Sequence, residues 1–149
     1  IYKNGYPAPR AYLVGSYSTT ADNFNPFEQA LLREKLPVEI EPDSTANCQI
    51  VVYKPDSVAI KTHCKKTRLL VLTDVFYPNW RAHISDGRNA RAAKIYETNY
   101  CFRGVVVPAG EHTVIFRYGS WAITEGRMVS FGALGIILAM LAATLIENK

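Results

Sequence analysis

The sequence predicts a mainly β fold, a jelly-roll-like β-sandwich with one short helix, followed by a C-terminal transmembrane helix. Three observations lead there. Short stretches of period-2 alternation recur from Val38 onward with turn residues between them. Leu69, Leu70, Val71 and Leu72 form an apolar run too short for a helix, which marks a strand covered on both faces. Met128 to Ile146 is a nineteen-residue stretch without a charge between Arg127 and Glu147. As a helix it would span about 28 Å, close to the roughly 30 Å of bilayer hydrocarbon. A buried core helix is the alternative, although core helices of that length usually carry a polar stripe.

Taken in order, Tyr12, Leu13 and Val14 read as a strand that Gly15 and a polar run to Asn23 bring to an end. Asn25 as N-cap, Pro26 at the first helical position and Glu28 three residues after the cap predict a helix from Pro26 to about Glu34, with Phe27, Ala30 and Leu31 on its apolar face. Pro37 stops it. Val38 to Glu41 is a short strand, and Gln49 to Tyr53 and Val58 to Thr62 flank the hairpin signal Lys54-Pro55-Asp56-Ser57.

The central strand at Leu69–Leu72 then meets Tyr77-Pro78-Asn79, where proline lacks a ladder donor and pushes Tyr77 out of the helical region, so pairing stops. Beyond that corner Trp80, Ala82 and Ile84 share one face and Arg81, His83 and Ser85 the other, up to the turn at Asp86-Gly87. Strands at Ala93 to Tyr96, Phe102 to Val107 and His112 to Tyr118 follow, the last two joined by Pro108-Ala109-Gly110. This gives residues 1–119 as the β-domain, 120–127 as linker, 128–146 as the span and 147–149 as a tail. The chain starts at Ile1 with neither an initiator methionine nor a signal peptide, so upstream sequence is expected.

The 149 residues carry a net charge of +4, with cations at Lys61, Lys65, Lys66, Arg68, Arg81, Arg88, Arg91 and Lys94. Such a set suits a membrane surface or a phosphate-bearing ligand, and equally a solvated basic face. Aromatics do not interleave with these charges in any nucleic-acid module pattern, so no nucleic-acid partner is expected. No cofactor is expected either. His63, His83 and His112 fall on separate strands without close ligand spacing, which argues against a metal. Catalysis would need two carboxylates, or a nucleophile with its base, in one cleft. Asp74 and Glu111 meet that only if their strands pair, so no catalytic residue is assigned.

Sugar binding has better candidates, because aromatic faces and planar polar groups suit pyranose rings. Asp74, Tyr77, Trp80, Asn99, Tyr100 and Arg103 are the candidate ligand-binding residues. Two alternatives stand beside this: Trp80 alternates with Ala82 and Ile84 and so fits the core, and Arg103 is a ready partner for Asp74.

PRAYLV at Pro9 to Val14, LLVLTDVFYPNWRAHISDG at Leu69 to Gly87 and NYCFRGVVVPAGEHTVIFRYG at Asn99 to Gly119 resemble, in order and spacing, the C-terminal region of the YfhO family of bacterial multi-pass membrane proteins. The resemblance implies a glycosyltransferase-like parent protein in the bacterial cytoplasmic membrane. The β-domain would lie on its extracytoplasmic side and Lys149 in the cytoplasm. Expected partners are then the membrane, other transmembrane helices of the parent chain, and a lipid-linked sugar or cell-envelope glycan. A non-enzymatic, membrane-anchored structural, carbohydrate-binding or interaction domain is the alternative. The catalytic acid of such proteins lies in an early loop outside this chain. Gly135, Ala139 and Ala143 recur every fourth residue and would give the span a small-residue packing stripe. An extracytoplasmic site would permit a Cys48–Cys64 disulfide, since a turn centred on Asp56 sets those two positions opposite each other, with Cys101 free.

Overall fold

The computed structural model describes residues 9–21, 25–26, 28–119 and 129–137. The chain divides into two compact units, Ile1–Tyr118 and Gly119–Lys149.

The first unit is mainly β. Its strands are β1 (Ala11–Val14), β2 (Tyr17–Ser18), β3 (Ala30–Leu31), β4 (Asn47–Lys54), β5 (Ser57–Cys64), β6 (Arg68–Val75), β7 (Trp80–Ser85), β8 (Ala90–Ala93), β9 (Tyr96–Thr98), β10 (Phe102–Val107) and β11 (Gly110–Tyr118). They form a four-stranded sheet β1-β6-β10-β9, a five-stranded sheet β4-β5-β11-β7-β8 and a small parallel pair β2-β3. The two larger sheets are antiparallel throughout.

β6 is central because both of its faces are apolar. Leu70 and Leu72 enter a core shared with Val105 and Val107 of their own sheet and with Val58, Ile60, Ala82, Ile84, Val114 and Phe116 of the five-stranded sheet. Leu69 and Val71 point the other way, into a second core with Val14, Ala30, Leu32, Leu36 and Tyr96. Residues of the excursion between β1 and β4 thus cover the outer face of the four-stranded sheet. All four β6 residues are fully buried, as the apolar run predicts. At Tyr77-Pro78-Asn79 pairing ends, Asn79 takes a left-handed φ of 76°, and the chain passes from one sheet to the other. β7 then alternates as read, with Ala82 and Ile84 buried and Arg81 exposed.

Three sequence expectations are corrected. The helix at 26–34 is a single turn: the amides of Glu28 and Gln29 both donate to the Asn25 carbonyl, and Ala30–Leu31 is already strand. Tertiary partners outcompete the capping signal there. Ala30 N–H donates to Ser16 O, Leu32 N–H to Ser18 O, and Leu31 is bound from both sides by Asn99. Phe27 lies outside the described residues. Val38 to Glu41 forms no strand, and its Glu41 amide is instead taken by Thr67 O.

The third correction is the hairpin register. Its two-residue loop pairs Lys54 with Ser57, and a bulge between Ile50 and Val52 shifts the ladder again, so Cys48 faces Thr62 rather than Cys64. Both cysteines are free thiols, as is Cys101. Diagonal neighbours on one face stand about 7–8 Å apart, beyond what a disulfide bridges.

In the second unit, residues 129–137 are helical and exposed. No helix among the described residues is long and apolar enough to cross a membrane. The rest of the apolar stretch, including Ala139 and Ala143, lies outside the described residues.

Candidate functional site

The ends of β6, β10, β4, β7 and β11 converge on one end of the β-domain. β6 delivers Asp74 one residue before its pairing stops, and β10, running antiparallel, delivers Arg103 opposite Leu72. Asp74 Oδ2 accepts from Arg103 Nη2 at 2.8 Å and Oδ1 from Arg10 Nε at 3.2 Å. The Tyr53 hydroxyl, reaching over from the other sheet, donates to the same carboxylate at 3.2 Å.

Arg103 is almost wholly buried, its side chain 3% exposed. Its guanidinium lies 3.9 Å from the Trp80 ring centroid and 5.5 Å from that of Phe116. Trp80 in turn meets Tyr118 with centroids 5.5 Å apart and planes tilted by 58°. Above them, the Arg10 guanidinium covers the Tyr53 ring at 4.3 Å. Burial pushes the pKa of Arg103 down and the Asp74 charge opposes that. A cation held this way gains most from its aromatic neighbours, because water is excluded. Even so, Arg103 Nε and Nη1 have no hydrogen-bond partner among the described residues.

Asp74, Trp80 and Arg103 therefore come together, with Arg103 on Asp74 and over the Trp80 face. Tyr77 lies next to them, more than half exposed, and lines with Phe76, Pro78, Trp80 and Ala92 a shallow groove of about 300 Å³. Asn99 does not join the cluster. It is buried, its Oδ1 accepts from Leu31 N–H at 2.8 Å, and its Nδ2 donates to the Tyr12 hydroxyl at 3.0 Å. Burial raises the Tyr12 pKa while the Asn99 contact lowers it. Tyr100 follows at a left-handed φ of 72°, a strained conformation for an aromatic residue, and stands 65% exposed.

Asp74 and Glu111 do not meet. Glu111 sits on β11 opposite His63, whose Nδ1 is 3.5 Å from its carboxylate, at the other end of the domain. No metal-competent cluster of His, Cys, Asp or Glu occurs among the described residues. Sequence reasoning missed Arg10, Tyr53 and Tyr118. The pairing of β1 with β6 brings in Arg10, the crossing of Tyr53 between sheets brings in Tyr53, and the pairing of β11 with β7 sets Tyr118 opposite Trp80; no local pattern marks any of the three.

No protein-family model, curated protein or solved structure matches the chain.

Proposed function

We propose that the chain is the C-terminal extracytoplasmic accessory domain and last membrane helix of a YfhO-like, glycosyltransferase-type bacterial membrane protein. In this reading the two larger sheets form a jelly-roll-like sandwich, and residues 128–146 span the cytoplasmic membrane. The domain contacts a lipid-linked sugar or acceptor glycan and leaves the chemistry to other parts of the parent chain. The observation that carries the reading is the Tyr77–Trp80–Arg103–Asp74 cluster. An exposed tyrosine lies beside a tryptophan whose face is fixed by a buried cation. Rigid aromatic faces of this kind stack on sugar rings, and the buried Arg103–Asp74 pair holds the tryptophan in place.

A non-enzymatic structural domain is the second reading. Asn99 favours it, since that side chain spends its amide on Leu31 and Tyr12. The discriminating experiment titrates the full chain, in detergent, with lipid-linked sugars and soluble oligosaccharides while tryptophan fluorescence is followed. Saturable binding that weakens about tenfold or more in Tyr77→Ala, a loss of about 1.4 kcal/mol, supports the accessory-domain reading. Absence of any saturable response supports the structural one.

A further inference from the structure

The end of the β-domain that carries this cluster is also where the chain leaves the domain. β11 finishes at Tyr118, beside Trp80 at the start of β7, and the Tyr118 amide donates to Asp56 O in the β4–β5 turn. The next residues lead toward the apolar stretch 128–146.

Most of the large exposed apolar side chains among the described residues of the domain gather at this end, with Val38 in the excursion before β4 as an exception. Val75, Phe76 and Tyr77 lie on the β6–β7 corner, Tyr100 on the adjoining turn and Tyr53 on β4. The first two loops are tied by a hydrogen bond from Phe76 N–H to Cys101 O at 2.6 Å. Tyr100 is held outward by its left-handed backbone and by the anchored Asn99 before it. Folding keeps strained conformations only where surrounding contacts enforce them, and such residues concentrate at working surfaces.

Charge adds an independent observation. Lys54, Arg117 and Arg81 fall in one row across β4, β5, β11 and β7, through the pairs Lys54–Ser57, Ser57–Arg117 and Arg117–Arg81. All three are exposed, and none has an ion-pair partner among the described residues. Like charges directly opposite each other on one sheet face repel, so this row costs the isolated domain stability. Arg10 and Arg103 share Asp74, and Glu97, opposite Arg103, pairs with Arg33, which leaves Asp56 as the carboxylate in the turn beside this row. At the opposite end Lys66 pairs with Glu41 at 2.9 Å, and although Lys65 and Arg88 have no ion-pair partner among the described residues, the carboxylates of Asp43, Asp86 and Glu111 lie at that end as well.

We propose that this end of the β-domain rests on the headgroup layer of an anionic phospholipid bilayer. Phe76, Tyr77 and Tyr100 would enter the interface and the Lys54–Arg117–Arg81 row would pair with lipid phosphates. Tyrosine and tryptophan favour that depth because one side of the ring is apolar and the other wet. Basic side chains reach headgroups along their apolar stems. The inference rests on reading 128–146 as a membrane span, and it places the proposed sugar site at the height of a lipid-linked sugar's headgroup.

The test uses the full chain in lipid nanodiscs that contain phosphatidylglycerol and a nickel-chelating lipid as relaxation agent. A nitroxide is attached to Cys101, the exposed thiol of this end. In a second sample it is attached to Arg88→Cys in a Cys101→Ser background, at the far end. Strong relaxation enhancement at 101 with none at 88 is expected. Loss of the enhancement is expected in Lys54→Gln/Arg81→Gln/Arg117→Gln and at about 1 M salt, where the screening length falls to about 3 Å. Equal enhancement at both positions, or more at 88, overturns the inference while leaving the sugar-binding reading to its own titration. Release of the chain from the membrane by alkaline carbonate overturns this inference and the membrane-span reading together.

Discussion

Two arginines are buried at opposite ends of the β6–β10 pair, and they are satisfied in opposite ways. Arg68 spends its guanidinium on backbone: Nη2 donates to Leu13 O at 2.9 Å, and Nη1 to Asp43 O and Glu41 O at 3.1 and 3.3 Å. It ties β6 to β1 and to the loop that covers the outer face. Around it the chain is tight, since Gly15 lies so close to the Glu41–Pro42 backbone that a Cβ has no room. Arg103 instead has one carboxylate and two aromatic faces, has two N–H groups, Nε and Nη1, unpartnered among the described residues where Arg68 has only Nε, and is surrounded by exposed tyrosines and cations without ion pairs. One end is closed by hydrogen bonds that stabilise the domain alone. The other retains charge and apolar surface that a folded domain by itself does not need, which is the usual mark of a contact surface.

The largest effect expected from breaking this contrast is at Arg68. Arg68→Met removes the donor from three part-buried carbonyls and is expected to cost about 4 kcal/mol of stability, read from urea unfolding of the full chain in detergent. Arg68→Lys should recover little, because an ammonium cannot fork to three separated carbonyls.

At the other end the order of damage should be inverted between partners. Asp74→Ala strands the buried Arg103 charge and is expected to cost about 3 kcal/mol. Arg103→Met leaves Asp74 with Arg10 and Tyr53 and should cost only about 1–2 kcal/mol. The double variant should lie nearer the smaller value. An Arg103→Met cost equal to that of Arg68→Met would remove the distinction between the two ends.

A smaller effect separates the ends by pH. Asp43, beside Arg68, accepts hydrogen bonds from the Thr45 hydroxyl and from the amides of Lys65 and Thr45, which hold its pKa at about 2. A carboxylate depressed in the folded state contributes stability above its unfolded pKa of about 3.9 and loses it as pH falls. Acid unfolding should therefore steepen between about pH 4 and pH 2, and Asp43→Asn should flatten that segment of the curve. The smallest contrast is chemical. Cys64 is buried with its thiol donating to Pro108 O, and burial raises the pKa of both Cys64 and Cys48. Alkylation of the native chain at pH 8 should mark Cys101 alone, with all three cysteines reacting after denaturation.

How much of this was legible in the sequence follows the range of the interactions. The β6 strand and its stop were readable because Leu69–Leu72 and Pro78 act locally. The β7 alternation was readable for the same reason. The pairing of Asp74 with Arg103 was readable as an alternative, since both sit near strand ends. The 26–34 helix failed because the carbonyls of Ser16 and Ser18 and the amide of Asn99, distant in sequence, decide the conformation of residues 30–32. The cysteine pairing failed because the turn is a two-residue loop that sets Lys54 opposite Ser57, and because the bulge between Ile50 and Val52, which leaves no compositional trace, shifts the ladder once more. Among the cations, nothing local separates Arg68, which is buried, from Arg81, which is free on the surface. Cross-strand register alone sets Arg81 against Arg117.

The most direct measurement of the contrast between the two ends is deuterium uptake of the full chain in nanodiscs, compared between zwitterionic and phosphatidylglycerol-containing bilayers. Slower exchange in the anionic bilayer is expected at the amides of 76–81 and 99–101, with 65–67 and 86–89 unchanged. Slowing at both ends alike, or confined to 86–89, would contradict the assignment of the Arg103 end as the contact surface and the Arg68 end as its scaffold.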